Sequence, residues 1–100
     1  MDVQDEILKI VIAAIRFEMD GVEIIMTGVR HVDICEEMHD RGLVPDAGSR
    51  IDGFLTSRHL FVDRVEAFKI ATAAEQLNEE GKQFHKDYPT VNELFSEDVW

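Results

Sequence analysis

The chain has 100 residues, 45% of them apolar and 31% charged, and a formal net charge of −11. That is one small soluble domain (residues 1–100), too apolar for a disordered chain. So acidic a protein excludes a long nucleic-acid backbone as partner, because that needs a basic footprint.

The longest apolar run, Ile10 to Ile15, is far short of a membrane span. The opening MDVQDEILK lacks the basic-then-apolar layout of a secretion signal. A cytoplasmic protein with no membrane partner is expected. The single cysteine, Cys35, cannot form an internal disulfide and fits a reducing compartment. A core of this size is modest, so association with further copies is expected.

Lys9 to Met19 is rich in β-branched residues. Ile15 and Phe17 alternate with Arg16 and Glu18, which predicts a strand. The Ala13-Ala14 pair leaves open a helix running from Met1–Leu8 to Ile15. Asp20-Gly21 is a hairpin turn signal, and Val22 to Thr27 is the returning strand. After Gly28, Arg30 and His31, a helical pattern puts Ile34, Cys35 and Met38 on one face. Gly42 ends it, with Leu43 packing back. Residues 43–52 read as a loop.

Gly53 to Thr56 is extended, Ser57-Arg58-His59 turns, and Leu60 to Val62 returns. Asp63 with Glu66 three residues later signals a helix start, and Val62 with Ala67 suits a hydrophobic staple. This helix is predicted to run to about Leu77, burying Ala67, Ile70, Ala71, Ala74 and Leu77. Gly81 and the polar KQFHKDYPT read as a loop, so residues 78–100 form a less regular C-terminal segment. The expected fold is α+β: a small, mainly antiparallel sheet with two packed helices, in the order hairpin, helix, hairpin, helix.

Charge is uneven along the chain. Residues 1–49 carry a net −7, residues 50–69 a net +1, and residues 70–100 a net −5. The middle stretch is therefore the least repulsive place for an anion, although an acidic excess also serves solubility alone. Gly28-Val29-Arg30-His31 lies where a strand meets a helix N-terminus, which offers free N–H groups, and Arg30 can grip a phosphate. A strand end with a solvated arginine gives the same letters. Phe61 with Arg64 and Lys69 sets an aromatic beside cations, suited to stacking a base and holding phosphate. From spacing alone, core packing for Phe61 and helix-surface ion pairs for Arg64 and Lys69 are the more frequent explanation.

His31, Cys35 and His39 share a helix face at metal-binding residue types, but no fourth ligand is placed and Cys35 belongs to the apolar face. No metal or other cofactor is expected. Ser96, Glu97 and Asp98 could hold a ribose hydroxyl or act as acid and base, or simply cap a helix. Neither a Ser–His–Asp set nor a P-loop nor a Rossmann glycine pattern is present.

Three separated motifs occur in order: GVRH at 28–31, GFLTSRHLFVDRVEAFKIATAAEQ at 53–76 and LFSEDVW at 94–100. Together they resemble the phage anti-Thoeris sponge proteins, over about three quarters of the chain by extent. That resemblance implies a non-enzymatic oligomer that sequesters cyclic ADP-ribose isomers, the signals of bacterial TIR-domain defence, in pockets at subunit interfaces. Some members also hold cyclic di- or trinucleotides. By motif position, it implies that Arg30 (next to His31) binds phosphate or ribose, Phe61 stacks on adenine and Arg64 neutralises phosphate. Phe95, Ser96, Glu97 and Asp98 would close the site, in some arrangements from a neighbouring subunit. The chain departs from the pattern at residues 74–76, Ala-Glu-Gln where the family has Ala-Gly-Gln. Two other readings fit the composition: an acidic decoy that docks on a basic host defence protein, and a small enzyme using Glu97 or Asp98 with His31.

Overall fold

The computed structural model describes residues 7–100. Four antiparallel strands form one sheet in the order β2-β1-β3-β4. They are β1 (Ile10–Met19), β2 (Val22–Gly28), β3 (Ile51–Thr56) and β4 (Phe61–Asp63). Helix α1 (His31–Asp40) follows β2, and α2 (Arg64–Ala73) follows β4 directly. Helix α3 (Glu79–Asp87) and a 3₁₀ turn at Ser96–Asp98 complete the chain. The fold is α+β with an antiparallel sheet, as the periodicity predicts. Ile10–Met19 is strand and not helix; residues 1–6, which the alternative helix would have used, lie outside the described residues.

Side-chain alternation divides the sheet into a packed face and an open one. Ala13, Ile15 and Phe17 of β1, Phe54 of β3 and Val62 of β4 join Ile34 and Met38 of α1 and Ala67, Ile70 and Ala71 of α2 in one core. Leu94, from the C-terminal segment, is fully buried in the same cluster. The other face carries Ile12, Ala14, Arg16, Ile25, Ile51, Leu55 and Phe61, and no helix covers it among the described residues. Here the two-layer molecule is thin, 20 Å along its shortest axis against 38 Å along the other two.

The local stop and start signals act as their chemistry predicts. Asp20 (φ 53°) and Gly21 (φ 79°) make the β1–β2 turn. Both of their amides donate to the Asp46 carboxylate at 3.2 Å, which fastens the 43–50 loop under the hairpin. Gly42 adopts φ 67° and the Leu43 amide returns to Met38 O, closing α1. Asp63 Oδ1 accepts from the Glu66 amide at 2.9 Å and starts α2.

Two expectations need correction. First, α2 ends at Ala73, not near Leu77. Glu75 takes φ 56°, the Glu75 amide returns to Thr72 O and the Gln76 amide to Ala71 O. Glu75 therefore occupies the left-handed position that glycine fills without strain. Early termination frees Gln76 to act like a strand residue: its Oε1 accepts from Ile10 N at 2.7 Å and its Nε2 donates to Ile10 O at 2.8 Å. This double bond sits beside the register shift between Ile10 and Ile12.

Second, residues 79–87 form a third helix in place of the expected loop. Its sequence is too polar to declare a buried face, but tertiary contacts hold it. Asn78 caps it by accepting from the Gly81 amide at 2.7 Å and donates from its side chain to Glu97 O at 2.9 Å. A Cβ on Gly81 would lie 2.7 Å from Asp98 O, so only glycine allows the helix to meet the C-terminal segment this closely.

Glu75→Gly is expected to stabilise the fold by about 1 kcal/mol through relief of the left-handed backbone. Urea unfolding should show a higher midpoint with an unchanged slope.

Candidate functional site

The residues singled out from sequence fall into three places. On the open face, Phe61 lies half-buried with its ring edge over Gly53; a Cβ on Gly53 would be 2.8 Å from Phe61 Cζ and 2.0 Å from Val62 O. Pairing of Thr27, Ala14 and Gly53 across three strands makes a row of small side chains. The Arg16 side chain reaches across this row, and its guanidinium carbon stands 5.1 Å from the Phe61 ring centroid. That contact is a cation–π pair between two strands that are not neighbours. No carboxylate or carbonyl among the described residues accepts a hydrogen bond from Arg16. Its neighbours on this face are the exposed Ile25 and Ile51 and, in the adjoining cleft of about 280 Å³, the carboxylates Glu18 and Glu23. Sequence reasoning missed Arg16 because alternation says only that it faces away from the core.

Arg64 lies on the other side of the sheet from Phe61, although only Val62 and Asp63 separate them. Phe61 belongs to the open face, whereas Arg64 begins α2 and turns toward the packed side. Its Nη1 donates to Leu94 O at 2.8 Å, its Nη2 reaches Asp52 Oδ2 at 3.4 Å, and its guanidinium lies 5.0 Å from the Phe95 ring centroid. The Leu94 amide in turn donates to Arg64 O at 2.9 Å. Arg64 thus clamps the C-terminal segment.

Asp52 also receives Arg50, at 2.8 Å from Nε and 3.2 Å from Nη2. Burial opposes ionisation of Asp52, but the Arg50 hydrogen bond and the charges of Arg50 and Arg64 outweigh it and hold the carboxyl below its usual value. The same hydrogen bond raises Arg50 above its own. The adjoining cleft, about 290 Å³, adds Asp63 and Glu93, so carboxylates outnumber guanidiniums there. Lys69 stands exposed on α2.

Arg30, His31 and the tail form the third place. Arg30 Nη2 donates to Trp100 O at 2.6 Å, and Trp100 Nε1 donates to Val29 O. The Trp100 ring meets the edge of Phe54 at 6.4 Å, and Phe54 meets His31 edge-on at 5.0 Å. His31 is buried and its Nε2 donates to Gly53 O at 2.7 Å, which fixes the neutral tautomer with the proton on Nε2. Burial lowers its pKa, with the Gly53 bond opposing. The neighbouring cleft of about 410 Å³ is lined by Arg30, Asn78, Trp100 and the acids Glu79, Glu80 and Glu97. Three carboxylates around one arginine make it a poor seat for a dianion.

The tail residues are held within the chain. Asp98 is buried, and its Oδ2 accepts from His85 Nε2 and from the Phe95 amide, both at 2.9 Å. His85 Nδ1 lies 3.2 Å from Val91 O, so both ring nitrogens face acceptors. Ser96 is buried, Glu97 is exposed, and Phe95 packs edge-on to Phe84 at 6.1 Å. His31 and Asp98, weighed above as base and acid, are each engaged with other partners. The three potential metal ligands do not converge either: His31 holds Gly53, Cys35 Sγ accepts from Arg50 Nη2 at 3.1 Å, and His39 is exposed. Among the described residues no group of three or more His, Cys, Asp or Glu is arranged to hold a metal ion. No helix among them is long and apolar enough to cross a membrane.

The phage T4 y16D protein family matches residues 9–100. The chain belongs to this family. No curated protein and no solved structure matches it significantly.

Two measurements follow from this geometry. Asp98→Asn removes the buried carboxylate that accepts from His85 and from the Phe95 amide and should destabilise the fold by about 2 kcal/mol in chemical denaturation. His31 has a folded-state pKa below the usual 6.5, so its neutral form favours the folded state. Its contribution is complete above that value and is lost as pH falls below it. His31→Gln keeps a donor for Gly53 O without a titration. The stability advantage of the native chain over this variant should therefore shrink between about pH 7.5 and 5.5.

Proposed function

We propose that the chain is a non-enzymatic phage protein that binds and sequesters a small cyclic nucleotide signal, cyclic ADP-ribose isomers first among them, and so counters bacterial anti-phage defence. On this reading it works in the host cytoplasm as a homo-oligomer, with cyclic di- or trinucleotides as a wider ligand class. The observation that carries the reading is the Arg16–Phe61 pair on the open sheet face, where a guanidinium has an aromatic neighbour and donates to no acceptor among the described residues, although Glu18 and Glu23 line the adjoining cleft. Such a pair suits an anionic nucleotide: the base stacks on a π-face and the phosphates take the N–H donors. Sequestration requires no nucleophile, only differential affinity.

The site moves relative to the sequence expectation. Phe61 keeps the stacking role, Arg16 replaces Arg64 as its cation, and Arg64, Arg30 and the 95–98 segment support the fold. A second reading, docking on a basic host protein, draws on the outward face of α1, where Asp33, Glu36, Glu37 and Asp40 are all exposed. That complex would weaken as salt is raised.

A cyclic ADP-ribose isomer should raise the melting temperature, and heating should release it intact for mass spectrometry. Recovery of a hydrolysed product would make the protein an enzyme instead. Phe61→Ala and Arg16→Ala should each weaken binding by roughly 10- to 100-fold. Arg30→Ala should lower stability with little change in affinity. No melting shift across a panel of cyclic nucleotides would sink the reading.

A further inference from the structure

The two edges of the sheet are treated differently. β4 is only three residues long and passes straight into α2, which shortens that edge. β2 is seven residues long, pairs with β1 without a register shift from Ala13↔Gly28 to Met19↔Val22, and contains no proline, lysine or bulge. Those are the devices that normally blunt an exposed edge.

In a hairpin with a two-residue turn, the closing pair Met19↔Val22 is hydrogen-bonded, so Val22, Ile24, Met26 and Gly28 point their amides toward β1. Glu23, Ile25 and Thr27 then point theirs outward, and no described residue accepts or donates there. Exposed apolar side chains follow the same edge: Val22 at 62%, Ile25 at 42%, Val29 at 61% and Val32 at 57%.

We infer that β2 pairs antiparallel with the β2 of a second copy, about a two-fold axis at Ile25, to make one continuous eight-stranded sheet. Three features select a second copy in this register. Parity matches, because Ile25 faces the partner's Ile25 and Glu23 faces the partner's Thr27, and these are the residues with outward amides and carbonyls. The side chains match: Glu23 meets a hydroxyl instead of another carboxylate, and Ile24 meets the partner's Met26 on the packed face. The apolar ends match, since Val22 comes beside the corner of Gly28 and the partner's Val29. Pairing centred on Glu23 would instead put two carboxylates opposite each other. With net −11 on each chain, salt should strengthen the pairing by screening repulsion.

This deepens the association part of the proposed function and is independent of the ligand, since it concerns the free protein. Sedimentation equilibrium of the full chain tests it. The native chain should dimerise, more tightly at higher salt. Thr27→Lys places a lysine opposite Glu23 twice per dimer, and Thr27→Glu places a carboxylate there. Relative to Thr72→Lys and Thr72→Glu, which make the same charge changes on exposed α2 surface, the first should tighten the dimer roughly fivefold and the second loosen it roughly fivefold. Thr27 is exposed, so unchanged circular dichroism is expected for both. A native chain that stays monomeric, or Thr27 variants that behave as their Thr72 counterparts, would overturn the pairing.

Discussion

A buried imidazole giving its one proton to a main-chain carbonyl ties the first helix to the sheet. His31 opens α1 and reaches Gly53 in β3, and this residue is the point where the fold is most constrained. Gly53 has no room for a side chain, because the carbonyl of Val62 passes where a Cβ would stand. Its open side is covered by Phe61, its carbonyl is held by His31, and its neighbour Phe54 carries the edge-on contacts to His31 and Trp100. Hence one glycine relates the open face, the first helix and the end of the chain.

The C-terminal segment depends on that frame and completes it. Arg64, His85, Asn78 and Arg30 each hold a different residue between 94 and 100, mostly through main-chain oxygens. Cations that looked available for a ligand are therefore used in joining segments distant in sequence. A buried hydrogen bond contributes modestly to net stability, but its loss is costly because the remaining polar group stays buried without a partner. In a chain with few core residues, such polar joints give residues 94–100 one geometry. Arg16, by contrast, makes no hydrogen bond to a carboxylate or carbonyl among the described residues and stands on the face that no helix covers there.

Local chemistry made much of the fold legible. Asp20-Gly21, Gly42 and Asp63 with Glu66 act within four residues of themselves, so their meaning survives without tertiary context. α3 has a local start signal of the same kind in Asn78, which caps Gly81, but its polar sequence hides the packing, because its glycine and its histidine both answer to Asp98 in the tail. The candidate site was half legible. Phe61 carries its aromatic character in the sequence, but strand-to-helix geometry puts Arg64 across the sheet from it. Arg16 arrives from β1, 45 residues earlier, through a diagonal contact that no spacing rule contains. Glu75 shows the opposite case: nothing in its letter announces the left-handed backbone angle that it adopts, which appears only in the fold.

Trp100 is the single tryptophan of the chain, and its indole is bonded to Val29 O and set against Phe54. Its fluorescence therefore reports whether the tail is seated at the β2–α1 corner. Far-ultraviolet circular dichroism reports strands and helices throughout. Coincident unfolding curves from the two signals would make residues 94–100 part of one cooperative unit with the sheet. An earlier fluorescence change would mark the tail as the first segment to open, with the sheet intact behind it.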